Sequence, residues 1–157
     1  IAHLEKICFS HPRSKKTIED EIENESIIMI VATNDNDNVL GYGSMNIVLD
    51  EAYINDIAVF PEFRHMGVGR IIVKSFVNYC YNNGFSFLSL EVRESNFPAI
   101  NLYASEGFEL IGQRKNFYSD PKENANIIIE NKDLTEIFQI EREISVQEKE
   151  IEKYLKY

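Results

Sequence analysis

Cysteine, histidine and tryptophan are scarce in this chain, which has two cysteines, three histidines and no tryptophan in 157 residues. The two cysteines, Cys8 and Cys80, are too few for a disulfide scaffold or a cysteine-rich metal site, so a reducing cytoplasm is the expected location. The histidines His3, His11 and His65 lack the spacing of a zinc-binding helix motif. We therefore expect no metal in the protein.

Positive charge and long apolar segments are also limited. Lysine and arginine number 16 against 26 acidic residues, which gives a net charge of -10. A nucleic-acid-binding surface needs clustered positive charge, whereas an acidic surface suits a basic protein or peptide partner, or serves solubility alone. Apolar stretches such as residues 27–32 are too short to cross a bilayer, and no basic-then-apolar leader is present. We expect neither nucleic acid nor a membrane as a partner.

Apolar periodicity and turn residues predict two helical runs within residues 1–25, then hairpins, and then helices that alternate with strands. A long helix over residues 68–83 is followed by Gly84, and a shorter helix containing Pro98 has Asn96 as its expected cap. This order predicts a mixed α/β sheet that is antiparallel early and has a parallel pair where a helix crosses over. The strands are expected at residues 27–32, 39–49, 53–60, 85–92, 108–118 and 126–130.

The last part of the chain differs in character from the rest. Beyond Asp133, residues at a spacing of three and four alternate with charged ones and predict an amphipathic helical tail at 135–157. That helix would cover its own domain or form the seam of a homodimer. The main domain is then residues 1–134, and its start at Ile1 rather than methionine leaves open a missing first strand. The spaced residues of the tail are Ile137, Ile140, Ile144, Gln147, Ile151 and Tyr154.

Residues 59–71 have the features of an anion-binding loop. A β-branched strand ends near Val59, Gly67 and Gly69 follow, and an apolar helix begins directly afterwards. Glycine lets backbone amides approach a ligand, and a helix N-terminus adds unpaired N–H groups and a favourable dipole. Arg64 and Arg70 would neutralise further negative charge. A plain strand-to-helix turn would also explain these residues, and neither the P-loop motif nor the three-glycine dinucleotide fingerprint is present.

The pattern Arg64-x-x-Gly67-x-Gly69 resembles the Q/R-x-x-G-x-G/A signature of the GCN5-related N-acetyltransferases, the GNAT family. The resemblance extends over residues 4–134, and within the family it is strongest to the branch that acetylates the N-terminal alanine of a ribosomal protein. It implies the GNAT fold: a central mixed, mostly antiparallel sheet flanked by helices, here with an added C-terminal helix. Further matching segments are Leu49-Asp50-Glu51-Ala52, Leu90-Glu91-Val92-Arg93-x-Ser95-Asn96, Leu102-Tyr103-x-x-x-Gly107-Phe108 and Arg114-x-x-x-Tyr118.

The resemblance implies acetyl-coenzyme A as the cosubstrate. In the family, backbone amides of the glycine loop hold the coenzyme A pyrophosphate, and the backbone of the preceding strand bonds the pantetheine arm. Asn96 resembles the coenzyme-contacting asparagine of the family, although helix capping explains it equally well. The implied coenzyme-binding residues are Ile57, Ala58, Val59, Arg64, His65, Met66, Gly67, Val68, Gly69, Arg70 and Asn96.

Acetyl transfer to an amine needs a base for the amine, stabilisation of the carbonyl oxygen and an acid for the departing thiolate. Strand alternation puts Glu91 on the face opposite its apolar neighbours, and the resemblance implies that Glu91 accepts the amine proton. An ion pair with a basic residue is the alternative explanation of Glu91, and Asp56 is the rival base. The resemblance implies that Tyr103, expected on a side of its helix away from the core, protonates the thiolate; a packing tyrosine is the alternative.

The acceptor depends on regions where the chain departs most from the family. Arg114 and Tyr118, near the last hairpin, are expected to line the acceptor groove. Arg13 lies in the segment His11-Pro12-Arg13-Ser14, where the family usually carries tryptophan. The leading expectation is acetylation of a protein N-terminal amine, the N-terminal alanine of a ribosomal protein. A small amine, a lysine side chain, or a coenzyme-binding partner protein without catalysis are the alternatives.

Overall fold

The computed structural model describes residues 1–130. The predicted helical tail at 135–157, the homodimer seam expected there and the domain boundary at residue 134 all lie outside the described residues. Within residues 1–130, no helix is long and apolar enough to cross a membrane.

Six strands form one central mixed sheet. Neighbouring strands are antiparallel except for β3 and β4, which are parallel and are joined by a crossover helix, as the sequence predicted. The order across the sheet is β1-β2-β3-β4-β6-β5. The strands are β1 (Ile27–Thr33), β2 (Val39–Val48), β3 (Glu51–Val59), β4 (Phe87–Arg93), β5 (Glu109–Ser119) and β6 (Lys122–Glu130).

Four helices flank the sheet: α1 (Ala2–Cys8), α2 (Lys15–Ile22), α3 (Val68–Asn82) and α4 (Phe97–Ser105), with a 3-10 turn at Pro61–Phe63. Helix α1 contacts β3 and α2 contacts β1, whereas α3 contacts β1 to β4. Most apolar residues of α3 are buried, but Val77 is only partly buried and Ile71 is 60% exposed. The predicted central mixed, mostly antiparallel sheet flanked by helices is confirmed, whereas the added C-terminal helix lies outside the described residues.

The main differences from the predicted strands lie at the two ends of the sheet. Strand β6 begins at Lys122 rather than at residue 126, and β3 begins at Glu51, which was expected in a turn. Both extensions begin with charged residues, and they are strands because their backbones pair, Glu51 with Val48 and Lys122 with Ser119. Backbone hydrogen bonding needs no apolar side chain, so a pattern of hydrophobicity does not detect such extensions.

Helix α3 packs very closely on β2, and Gly43 makes that approach feasible. A Cβ atom at Gly43 would lie 2.7 Å from the Phe76 ring and 2.8 Å from Ile72. Phe76 and Ile72 are both fully buried and belong to the main core between α3 and the sheet. A smaller cluster of Leu4, Tyr42 and Ala58 fills the space under α1 on the opposite face.

Strand β3 has two irregularities that shape its second half. In its pairing with β2, Ser44 faces Asp56 and Met45 faces Ile54, so Asn55 is an extra residue in a β-bulge. The bulge leaves Ile54 in the main core and turns Asp56 onto the face that carries α1 and α2. The pairing of β3 with β4 ends at Ile54 and Leu90, although both strands continue. The two strands therefore separate beyond this point.

Candidate active site

A cleft of about 840 Å³ lies where β3 has separated from β4. Its walls come from the end of α1, the second half of β3, the loop after β3, the first turn of α3 and helix α4. The predicted coenzyme-binding residues line it, with the exception of Met66, whose side chain is 69% exposed. Those that line it are Ile57, Ala58, Val59, Arg64, His65, Gly67, Val68, Gly69, Arg70 and Asn96.

The glycine loop presents the N-terminus of α3 to this cleft. Gly67 is the N-cap residue with φ of 85°, a left-handed conformation that glycine adopts without strain. Gly67 has no side chain that could cap the helix. The first hydrogen bond of the helix runs from the Ile71 amide to the Gly67 carbonyl. The amides of residues 68–70 therefore have no partner within the helix and can bind an anion in the cleft.

The two loop arginines have different partners. Arg64 donates from Nε to the Val59 carbonyl at 3.1 Å, and its Nη2 lies 3.5 Å from the Cys8 sulfur. Arg70 forms an ion pair with Glu106 at 3.0 Å and therefore links α3 to the end of α4. The charge of Arg70 is partly neutralised by Glu106, so Arg64 is the better candidate to bind additional negative charge.

Asn96 caps helix α4 and also lines the cleft. Its side-chain oxygen accepts a hydrogen bond from the Ala99 amide at 3.3 Å. The capping role is therefore confirmed. Contact with the coenzyme stays a prediction that the position of Asn96 in the cleft wall permits.

Tyr103 is the buried residue of α4 and is only 7% exposed. The expectation that it points away from the core is wrong, because α4 lies along the cleft and its innermost residue both joins the core and lines the cleft wall. Its ring packs 5.5 Å from that of Phe108. Burial, together with the charge of Asp56 and the neighbouring Tyr118 phenol, raises the pKa of Tyr103, so its phenol is protonated at neutral pH. A proton donor needs this property.

Glu91 lies on the face of β4 opposite Leu90 and Val92, as strand alternation predicted. Its carboxylate forms an ion pair with Arg114 Nε at 2.9 Å, and its side chain is 26% exposed. The ion pair considered as the alternative is therefore present. Because Arg114 is 59% exposed, the pair is accessible to water, and Glu91 is not one of the residues that line the cleft.

Asp56, the rival base, lies just beyond the bulge of β3. It pairs with Arg13 Nη2 at 3.1 Å and remains 30% exposed. Burial raises the pKa of Asp56; Arg13 opposes that shift, while the carboxylates of Glu5 and Glu21 add to it. A second carboxylate at the separated edge of β3 is therefore available to the chemistry.

Arg93 is a residue whose structural role the sequence analysis missed. It lies at the end of β4, and its guanidinium is 4.0 Å from the centre of the Tyr118 ring. The same group donates to the carbonyls of Asp120 and Pro121 and pairs with Glu123 at 3.2 Å. Arg93 thereby connects the end of β4 to the hairpin formed by β5 and β6, the β5–β6 hairpin. An arginine two residues after Glu91 was the only sequence signal for this contact.

Tyr118 connects the two halves of the site electrostatically. Burial raises its pKa; Arg93 lowers it, while Glu91, Glu123 and Asp56 raise it. Glu91 on β4 and Asp56 on β3, the two candidate bases, therefore both raise the pKa of the Tyr118 phenol. Asp56 and Tyr118 act in turn on Tyr103. The arrangement places a buried acid and two carboxylates around one opening, which suits proton transfer to and from a bound substrate.

Within residues 1–130, no group of three histidine, cysteine or acidic side chains is arranged to hold a metal ion.

Residues 1–108 match the model of the Acetyltransferase (GNAT) family. The chain belongs to this family, and it is an N-acetyltransferase that uses acetyl-coenzyme A as its cosubstrate. The open edge of β3 and the helix N-terminus beside it are consistent with this assignment.

The chain is similar, over most of its length, to proteins whose names specify the acceptor of the acetyl group. The [ribosomal protein bS18]-alanine N-acetyltransferase of Escherichia coli K12 is 34% identical over 128 residues, 80% of this chain and 85% of the relative. A Bacillus subtilis strain 168 protein to which the same activity is ascribed is 36% identical over 129 residues, 82% of this chain and 85% of that protein. The crystal structure of the Escherichia coli ribosomal-protein-S18-alanine N-acetyltransferase superposes with a TM-score of 0.73 at 32% identity, covering 82% of this chain and 83% of that one.

We predict that Arg93→Met loosens the β5–β6 hairpin. The substitution removes an ion pair and two hydrogen bonds from a charged donor, so amide exchange at residues 118–123 should accelerate by about tenfold or more. Hydrogen–deuterium exchange read by mass spectrometry measures this. Lys115→Met, a change at an exposed position of the same hairpin, is the matched control and should leave the exchange unaltered. Equal protection in the wild type and in Arg93→Met would contradict the role assigned to Arg93.

Proposed function

We propose that this enzyme acetylates the N-terminal amine of a protein, and that the acceptor is the N-terminal alanine of ribosomal protein bS18. The observation that carries this proposal is the relationship, over about four fifths of the chain, to the Escherichia coli enzyme named for that reaction. The net charge of -10 agrees with a basic acceptor, because an acidic enzyme attracts one electrostatically.

The cleft suits the coenzyme in one orientation. The pyrophosphate lies against the free amides of residues 68–70 and the Arg64 guanidinium. The pantetheine arm follows β3, where the backbone of Ile57 to Val59 no longer pairs with β4. The thioester then reaches the strand separation near Tyr103, which is the buried end of the cleft.

Transfer then needs no covalent enzyme intermediate. The neutral amine nitrogen attacks the thioester carbonyl carbon, and the carbonyl oxygen becomes negative in a tetrahedral intermediate. When this collapses, the carbon–sulfur bond breaks, the amide remains on the acceptor and the electron pair leaves on the coenzyme sulfur. Tyr103 gives its proton to that thiolate, and a carboxylate takes the proton lost by the amine.

Glu91 is the base in this proposal. Its position on β4 faces the side on which the β5–β6 hairpin carries Tyr118, and its ion pair with exposed Arg114 leaves it in contact with water. A water molecule can therefore carry the proton between the amine and Glu91. Asp56 is firmly engaged by Arg13 at 3.1 Å, which favours a binding role over proton transfer for that carboxylate.

We predict acetylation of peptides that begin with the first residues of bS18. The measurement is mass spectrometry of a peptide panel incubated with the protein and acetyl-coenzyme A, with the same peptides blocked at the N-terminus as controls. The panel also contains free lysine side chains and small amines. A product only on those, and none on any free N-terminus, would replace the proposed acceptor with one of these other amines.

We predict that acetyl-coenzyme A protects Cys8 from alkylation. Cys8 is partly exposed and lines the cleft, whereas Cys80 is fully buried in the core and serves as an internal reference in the same molecule. Peptide mapping after a timed reaction with N-ethylmaleimide should show Cys8 labelling slowed by the coenzyme and little labelling of Cys80 at any time. Unchanged labelling of Cys8 at saturating coenzyme would show that the coenzyme binds elsewhere.

We predict that Tyr103→Phe and Glu91→Gln each lower kcat, by about a hundredfold for loss of an acid or base, while coenzyme protection of Cys8 is retained. Phenylalanine keeps the ring packing on Phe108, so the loss reports on the phenol rather than on the fold. Tyr79→Phe, on α3, is the matched control with unaltered kcat. If Tyr103→Phe has the wild-type rate across pH, the thiolate receives its proton from another group. If Glu91→Gln does, the base is another carboxylate or water.

A further inference from the structure

A network of charged groups lies beside the site but outside the cleft. Its centre is Arg13, in the loop between α1 and α2, and its other members are Glu5, Glu21, Tyr42 and Asp56; we call it the Arg13 cluster. Arg13 lies 3.0 Å from Glu5, 2.6 Å from Glu21 and 3.1 Å from Asp56. Tyr42 donates to Glu5 and also bonds Arg13. One side chain therefore joins α1, α2, β2 and β3.

The members of the Arg13 cluster differ in their exposure to solvent, and the difference shows which of them a ligand can reach. Tyr42 is fully buried and Glu5 is 2% exposed, while Arg13 and Glu21 are 19% and 20% exposed. Asp56 is the most exposed member at 30%. Glu5 is already bonded by Arg13 through both its backbone amide and its guanidinium. Asp56 is therefore the carboxylate of the cluster with the greatest access to a ligand.

The cluster carries more negative than positive charge. Three carboxylates face one guanidinium, and Tyr42 adds no charge because burial and its bond to Glu5 raise its pKa. Burial opposes ionisation of Glu5, but its hydrogen bonds from Arg13 and Tyr42 outweigh this and lower its pKa. The cluster therefore has excess negative charge, which can attract a cation to Asp56, its most exposed carboxylate.

Asp56 lies where an acceptor amine must arrive. The bulge at Asn55 turns it toward the Arg13 cluster, and it follows the last residue of β3 that pairs with β4. Its charge raises the pKa values of Tyr103, the proposed acid, and of Tyr118 on β5. A free N-terminal amine has a pKa of about 7.7–8.0 and so arrives mainly as a cation at neutral pH.

We propose that Arg13 is a positioning residue for the acceptor: it fixes the Asp56 carboxylate at the separated edge of β3, where that carboxylate binds the ammonium group of the incoming peptide. The inference rests on the proposed function. Arg13 holds Asp56 in place before the acceptor arrives, so little side-chain freedom is lost on binding. The ammonium then gives up its proton to Glu91 through water, and Asp56 stays ionised throughout.

Asp56→Asn tests the binding role directly. The amide keeps the size of the side chain but loses its charge, so KM for the acceptor peptide should rise about tenfold, as expected for a lost charged hydrogen bond. KM for acetyl-coenzyme A and the protection of Cys8 by the coenzyme should not change. Glu19→Gln, an exposed carboxylate on α2 that pairs only with Lys15 among the ion pairs of residues 1–130, is the matched control and should leave both KM values unaltered.

Arg13 is tested through the pH dependence of kcat/KM for the peptide. Arg13 lowers the pKa of Asp56, so in Arg13→Met the acid limb of the profile should move to higher pH, and Arg13→Lys should restore it. The other titratable groups that interact with Asp56 are Glu5 and Glu21 from the helices and the neutral phenols of Tyr42, Tyr103 and Tyr118, and all are retained in these variants. With Asp56→Asn already present, Arg13→Met should no longer shift that limb.

The outcomes separate this inference from the proposed function. Turnover on free N-termini with an unchanged peptide KM in Asp56→Asn overturns the inference and leaves the function intact. A fall in kcat in Asp56→Asn at unchanged peptide KM would make Asp56 a base and overturn it too. No turnover on any N-terminus overturns both. If Arg13→Met does not fold, Asp56→Asn and Arg13→Lys still decide the question.

Discussion

The separation of β3 from β4 beyond Ile54 and Leu90 is the constraint on which the site depends. Backbone donors and acceptors need partners, and the second half of β3 has a sheet partner only on its β2 side. The unpaired side of β3 can therefore bind an extended ligand much as it would bind another strand. The cleft, the buried acid Tyr103 and both candidate bases are all arranged around this opening.

The close packing of α3 on β2 fixes the position of the glycine loop relative to the strand separation. Because Gly43 lets α3 approach β2 so closely, the first turn of α3 lies beside the end of β3. Arg70 and Glu106 then tie that helix to α4, which carries Tyr103. The free amides of residues 68–70 and the Tyr103 phenol are thus placed in the wall of one cleft by a single packed unit.

The site presents two surfaces of different chemistry. On the coenzyme side proposed above lie helix amides and the Arg64 guanidinium, which suit phosphate groups. On the sheet face opposite α3 lie Glu91, Asp56 and the remainder of the Arg13 cluster, which suit a cation. This division allows a protein with a net charge of -10 to hold an anionic coenzyme and to attract the basic acceptor proposed above.

The sequence by itself determined the order of helices and strands, the glycine loop and the capping of α4 by Asn96, because each depends on local periodicity or on a few neighbouring residues. It also placed Glu91 on the correct face of β4, since alternation is a local property of a strand. The bulge at Asn55, the direction of Tyr103 and the contacts of Arg13 and Arg93 were decided only by the tertiary structure. Each joins residues far apart in the chain, such as Arg13 with Asp56, and no local pattern specifies which distant charges will pair. The family resemblance that includes the glycine loop predicted the coenzyme, whereas the acceptor side depends on these long-range contacts.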